Sequence, residues 1–211
     1  MQRIAVFASG TGSNFQCLLD AEASGMFRGS KAYGKIALLV TDKPACGAVA
    51  KAQAASIPVA AFSPQSFPAK AEYEQAILQV LKEKQIDWIV LAGYMRLIGS
   101  DILQAYSQRM INLHPSLLPA FSGKDAIGQA FQAGVKVTGV TVHFVDEGMD
   151  TGPILAQQPV TVLQEDTLES LTARIHGVEH ELLPKVVASI LQYRVVIEGR
   201  KVYLRKDESI G

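Results

Sequence analysis

The chain of 211 residues alternates short β-branched apolar runs with longer stretches of helical periodicity. The runs are Ile4 to Phe7, Ile36 to Val40, Ile57 to Ala61, Trp88 to Ala92, Met110 to Leu113 and Val137 to Val145, and each predicts a strand. Most are apolar without strict polar alternation, the pattern of strands covered by helices on both faces. Amphipathic stretches from Ala71 to Lys84 and from Leu168 to Leu191 supply that cover. The second opens after Glu165-Asp166-Thr167, where Asp166 or Thr167 can cap it, and it contains Pro184, which predicts two helical pieces. Strands alternating with helices build βαβ units. The pattern therefore predicts an α/β fold: a single doubly wound, Rossmann-like domain with a mostly parallel central sheet and a ligand site at the strand C-terminal ends. The polar end, from Arg205 to Gly211, reads as a loosely held tail.

Charge narrows the partners. Twenty Lys and Arg stand against 20 Asp and Glu, so no global positive field exists to hold a nucleic acid or an anionic membrane. An anionic ligand needs a local site. No apolar run approaches the about 18 residues of a membrane span, and the N-terminal run is too short for the apolar core of a signal peptide, so the sequence reads as soluble and cytoplasmic. Cys17 and Cys46 lack C-x-x-C spacing and read as buried thiols rather than a disulfide.

The first candidate site follows the first strand. Ser9-Gly10-Thr11-Gly12-Ser13-Asn14 opens a helix whose apolar positions include Phe15, Leu18 and Leu19. Backbone N–H groups and the helix dipole there favour an anion, glycines let the backbone come close, and Ser13 and Asn14 can add donors and cap the helix. A tight βα turn without a ligand is the plainer alternative. Phe15 breaks the G-x-G-x-x-G spacing, and no Lys-Ser or Lys-Thr completes a P-loop.

The second is Ile111-Asn112-Leu113-His114-Pro115, a strand broken at Pro115 that sends Asn112 and His114 to one face by period two. An amide donor aimed with an imidazole suits a developing oxyanion, and the imidazole can also handle a proton, so acyl transfer is the reaction class suggested. Downstream, the acidic loop Asp146-Glu147-Gly148-Met149-Asp150 lies between two extended runs. A carboxylate beside the imidazole would support its cationic form, a role open on chemistry alone to Asp146, Glu147 and Asp150.

Four ordered motifs, the Ser9 to Asn14 loop, Ala92-Gly93-Tyr94-Met95-Arg96, Asn112-x-His114-Pro115-Ser116-Leu117-Leu118-Pro119 and Asp150-x-Gly152-Pro153, resemble the folate-dependent formyltransferase family. The resemblance implies a formyltransferase domain over residues 1–204 that moves a formyl group from 10-formyltetrahydrofolate to the amine of glycinamide ribonucleotide in purine biosynthesis, with no metal. It implies Asn112, His114 and Asp150 as the catalytic group, which chooses Asp150 among the acidic residues. It also implies that Gly10, Thr11, Gly12, Ser13, Asn14, His176 and Glu179 meet the nucleotide, while Met95, Arg96, Leu97, Ile98 and Asn112, with Asp146 to Asp150, line an apolar folate slot. Lys70 falls where the family carries a basic residue near the folate tail, and is otherwise a solvated helix charge. Ser122 departs from a family proline between Phe121 and Gly123.

Two histidine features compete with this reading. His176-Gly177-Val178-Glu179-His180 matches the H-x-x-E-H pattern of one zinc peptidase class; under the resemblance, the stretch instead faces the nucleotide, with His180 packed. His143 is either a supporting group for the catalytic residues or a buried structural histidine. Rival functions are a formyltetrahydrofolate hydrolase or a transfer-RNA formyltransferase, whose relatives carry additional N- or C-terminal domains, and a non-catalytic nucleotide-binding module. A monomer and a homodimer are equally compatible with the sequence.

Overall fold

A computed structural model describes residues 1–29 and 33–206. The strand order of the larger sheet is β3-β2-β1-β4-β5-β6-β7, and β8 and β9 form a separate two-stranded sheet. The chain divides into two compact units, Met1–Ile111 and Asn112–Gly211.

In the first unit, β1 (Gln2–Phe7) pairs in parallel with β2 (Gly34–Thr41) on one side and β4 (Trp88–Leu91) on the other, and β2 pairs in parallel with β3 (Val59–Ala61). Chain order therefore reverses at β1, the switch point where loops leaving neighbouring strands open a crevice. Ile4 to Phe7, Leu38 to Val40 and Trp88 to Leu91 are buried, as their unbroken apolar runs predict. The run from Ile57 to Ala61 is a strand only over Val59–Ala61, because Ile57 and Pro58 lie in the connection from the preceding helix.

Helices alternate with these strands: α1 (Ser13–Ala23), α2 (Gly47–Ala54), α3 (Lys70–Glu83) and α4 (Ser100–Ala105). In α3, Tyr73, Ile77 and Leu81 recur every four residues and are buried. Burying Ile77 and Leu81 contributes about 1.5–3 kcal/mol each. Both cysteines are free and half-buried rather than buried, with the Cys46 thiol 3.3 Å from the Thr41 hydroxyl. Burial, with Asp20 adding to it, raises the Cys17 thiol above its ordinary pKa.

β5 (Met110–His114) runs from the first unit into the second. The second unit continues with α5 (Ala126–Gln132), the antiparallel pair β6 (Val137–Phe144) and β7 (Ile154–Thr161), α6 (Leu168–Gln192), and the hairpin β8 (Arg194–Glu198) and β9 (Lys201–Arg205). Thr167 caps α6 in a box with Ser170, each side chain bonding the other's backbone N–H.

Two expectations fail here. Pro184 does not divide α6, which is one helix of 25 residues. A helix-interior proline costs about 3 kcal/mol, and burial of Leu171, Ile175, Leu183, Val187 and Leu191 along the same helix offsets it. Nor does the loose tail begin at Arg205, which closes β9 opposite Arg194; residues 207–211 of that expectation lie outside the described residues. Val195-Val196-Ile197 and Val202-Tyr203-Leu204 around Gly199, which has φ +61°, carry the hairpin signal for this pair. Among the described residues no helix is long and apolar enough to cross a membrane.

Candidate functional site

The second unit gathers four polar side chains from three places in the chain. β5 carries Asn112 and His114, β6 carries His143, and the loop before β7 carries Asp150. Asp150 Oδ2 accepts the Gly123 N–H at 2.8 Å and stands 3.4 Å from His114 Nδ1. Its Oδ1 lies 3.5 Å from Asn112 Nδ2 and 3.6 Å from His143 Nε2. Asn112, His114 and Asp150 are thus brought together in this geometry.

Loop backbone geometry supports that placement. Asp150 adopts a left-handed φ of +57°, which Asp tolerates better than most residues. A Cβ on Gly152 would fall 1.8 Å from the Phe144 carbonyl oxygen, so the return of the loop to the end of β6 requires glycine. Asp146 Oδ1 accepts from the Gly148 N–H at 3.1 Å and the Thr151 hydroxyl at 2.7 Å. That carboxylate oxygen is thus occupied within its own loop, an Asx turn, while Glu147, Gly148 and Met149 are exposed.

Hydrogen-bond partners assign the ring protons. His114 Nε2 donates to the Phe121 carbonyl at 2.9 Å, so a second proton on this ring sits on Nδ1, toward Asp150. At 3.4 Å that approach is an ion-pair distance rather than a tight hydrogen bond. His143 Nδ1 donates to the Phe144 carbonyl at 2.8 Å, leaving Nε2 to accept from Asn112 Nδ2 at 3.2 Å. Burial pushes the Asp150 carboxyl up, but the His143 ring beside it, the Gly123 hydrogen bond and the His114 imidazole outweigh it and hold the group below its ordinary pKa of 3.8. The carboxylate is therefore fixed as an anion beside two imidazoles.

His143 is buried at 2% exposure, and its Nε2 lies beside both Asn112 and Asp150. The Gly123 N–H and the Phe121 carbonyl are further participants that the sequence reading did not name. Phe121 has φ +54° and Gly123 φ +82°. A glycine after an aromatic residue in a turn was the available signal.

Along α6, Glu179 is buried while His176 is nearly half exposed, and His176 Nδ1 meets Glu179 Oε2 at 2.9 Å. That bond raises the pKa of His176 against the opposing effect of burial. His180 stacks on His176 with ring centroids 6.4 Å apart, and its Nε2 is buried. Among the described residues these side chains form no metal-holding group.

In the first unit, the loop after β1 differs from its expectation in one respect. Gly12, at φ +73°, precedes α1 without a side-chain cap, so neither Ser13 nor Asn14 caps the helix as proposed. A Cβ on Gly12 would meet Ala48 Cα at 2.7 Å, and one on Gly47 would meet the Thr11 carbonyl at 2.8 Å. Gly12 thus permits α1 and α2 to pack closely; Gly10, with no atom within 4 Å of its Cβ position, is the glycine open to a ligand. Thr11 is exposed, and Ser13 and Asn14 are half-buried.

The segment after β4 has an anchored start and an open continuation. Tyr94 packs edge-on against Phe7, and its hydroxyl bonds that of Tyr73, whose ring carries the Arg96 guanidinium 5.4 Å above its centre. Met95 and Leu97 are exposed at 73% and 65%, and Ile98 is half-buried. Exposed apolar side chains on a pinned backbone suit a flat ligand. Lys70 pairs with Glu74 at 3.4 Å at the start of α3.

With this geometry established, the class is defined: the chain belongs to the formyl transferase family, whose sequence profile matches residues 2–187. It is 51% identical over 191 residues to the phosphoribosylglycinamide formyltransferase of Bacillus subtilis (strain 168), covering 90% of this chain and 95% of that protein. The crystal structure of phosphoribosylglycinamide formyltransferase from Bacillus halodurans matches with TM-score 0.85 at 51% identity, over 90% of this chain and 95% of that one. That of glycinamide ribonucleotide transformylase 1 from Symbiobacterium toebii matches with TM-score 0.91 at 39% identity, over 98% and 95%.

Proposed function

We infer that this chain transfers the formyl group of 10-formyltetrahydrofolate to the amine of glycinamide ribonucleotide, a step of purine biosynthesis. The observation that carries the reading is the Asn112, His114 and Asp150 cluster in a chain 51% identical to a protein named for that reaction. The family match over residues 2–187 supports one formyltransferase domain across residues 1–204.

In this reading the glycinamide nitrogen attacks the formyl carbon and a C–N bond forms while the carbonyl oxygen becomes an oxyanion. His114 in its imidazolium form and one N–H of Asn112 stabilise that oxygen. The 3.5 Å contact from Asn112 Nδ2 to Asp150 is long enough for a nearer oxyanion to displace it. Collapse breaks the bond from the formyl carbon to the folate nitrogen, and the proton lost by the attacking amine moves to that nitrogen. Asp150 stabilises the imidazolium and orients the shuttle. Two bound reactants held for attack need no covalent enzyme intermediate.

Gly10, Thr11, Gly12, Ser13 and Asn14 bind the nucleotide phosphate through the uncapped start of α1, and His176 with Glu179 meets its ribose end. Met95, Arg96, Leu97, Ile98 and the loop from Asp146 to Asp150 receive the folate. Lys70 joins them only by exchanging Glu74 for a folate carboxylate. The proposed setting is the cytoplasm, as a monomer or homodimer; the balanced formal charge offers no long-range attraction to a polyanion or an anionic membrane.

The test supplies 10-formyltetrahydrofolate with and without glycinamide ribonucleotide. Tetrahydrofolate should form only when the nucleotide is present. Release of formate at a similar rate without it would identify a hydrolase and overturn the transfer reading.

A further inference from the structure

The loops assigned to the two ligands in the first unit leave adjacent strands, β1 and β4, and one buried hydroxyl lies between their backbones. Ser9 is 3% exposed. Its N–H donates to the Gly93 carbonyl at 3.1 Å, and its Oγ accepts the Met95 N–H at 3.0 Å. The same Oγ donates to Asp42 Oδ1 at 2.5 Å, beyond the end of β2. Since the hydroxyl proton points at Asp42, a lone pair remains aimed at Met95.

Both sides of this tie lead directly to residues given ligands above. Gly10 follows Ser9, and its carbonyl accepts the Ala48 N–H at 3.2 Å. Met95 begins the exposed apolar stretch, while Gly93, at φ +79° and with an open Cβ position, supplies the turn before it. Ligand-driven movement of either loop must carry Ser9 with it or break the part-buried bond from the Met95 N–H. A donor left unpaired where water reaches it only in part is costly, so movement together is favoured.

We propose that Ser9, oriented by Asp42, is a positioning residue that couples nucleotide binding at Gly10 to Asn14 with folate binding at Met95 to Ile98. The proposal rests on the formyltransferase reading and adds an energetic link between its two substrates. The link is reciprocal, since each ligand must change the other's affinity by the same factor.

The experiment measures the affinity of tetrahydrofolate with and without saturating glycinamide ribonucleotide, by calorimetry on the whole chain. In wild type the nucleotide should change the affinity by at least about fivefold, the lower end of common coupling factors. Ser9→Ala should bring that ratio close to one, an effect distinct from weakening either ligand alone. Asp42→Asn should retain the ratio, because its amide oxygen still accepts from Ser9. Should Ser9→Ala fail to fold, Asp42→Ala decides, since it leaves the serine but releases its hydroxyl to rotate; a lost ratio supports the proposal. A wild-type ratio of one, or an unchanged ratio in folded Ser9→Ala or in Asp42→Ala, overturns it. If wild type binds neither ligand, the functional reading itself fails and the proposal with it.

Discussion

Asp150→Asn keeps the size of the side chain and removes its charge. One amide oxygen can still accept the Gly123 N–H, now 2.8 Å from Oδ2. The amide nitrogen then replaces the oxygen that stands 3.5 Å from Asn112 Nδ2 and 3.6 Å from His143 Nε2. The fold should survive, but the anion 3.4 Å from His114 Nδ1 is gone just where the mechanism requires a cationic ring. Loss of a preorganised electrostatic partner typically costs about 2.7–4 kcal/mol in the transition state, or roughly a 10²–10³-fold fall in kcat. Substrate KM should move only a few-fold, because the lost interaction strengthens with the developing charge. Single-turnover measurement of tetrahydrofolate formation excludes product release as a confounder. Asp150 titrates below 3.8 when folded, so its contribution is present above that pH and disappears as pH falls through the lower folded value. The wild-type advantage in urea should accordingly shrink on acidification. Near-wild-type kcat in a folded Asp150→Asn variant would refute the assigned role of the carboxylate.

Gly12→Ala adds left-handed strain and the 2.7 Å approach to Ala48 Cα, together costing about 2–4 kcal/mol, whereas Gly10→Ala meets nothing and should stay within about 0.5 kcal/mol; paired thermal melts compare them, and equal melting temperatures would contradict the packing role. Asp146→Ala removes the acceptor of the Gly148 and Thr151 bonds and should raise the folate KM several-fold with little change in kcat, while Asp146→Asn, which keeps an acceptor oxygen, should be mild in the same kinetic assay. His176 has a raised folded pKa through Glu179, so its stabilising contribution is full below the unfolded value of about 6.5 and fades as pH rises through the folded one. With His176 half exposed, that contribution should stay below about 1 kcal/mol; urea midpoints of His176→Gln and wild type should differ more at pH 5.5 than at pH 8.5, and equal differences would exclude the linkage.

By itself the sequence determined the α/β class, the parallel strands and the pairing of Asn112 with His114. Those features rest on local chemistry: apolar runs too continuous for a solvated face and period-two delivery of Asn112 and His114 from one strand; among Asp146, Glu147 and Asp150 only the family resemblance chose Asp150. Tertiary structure decided what depends on partners distant along the chain. His143 joins Asn112 across a separation of 31 residues, and Ser9 joins Met95 across 86; strand order, which periodicity does not encode, makes these neighbours. Gly12 was legible as a glycine needing space, but the Ala48 backbone that occupies the space comes from another helix. Pro184 carried a local helix-breaking signal that burial along α6 outweighed. Local propensity is worth a few kcal/mol at most at any one position, and it yields wherever packing and buried hydrogen bonds over many residues oppose it.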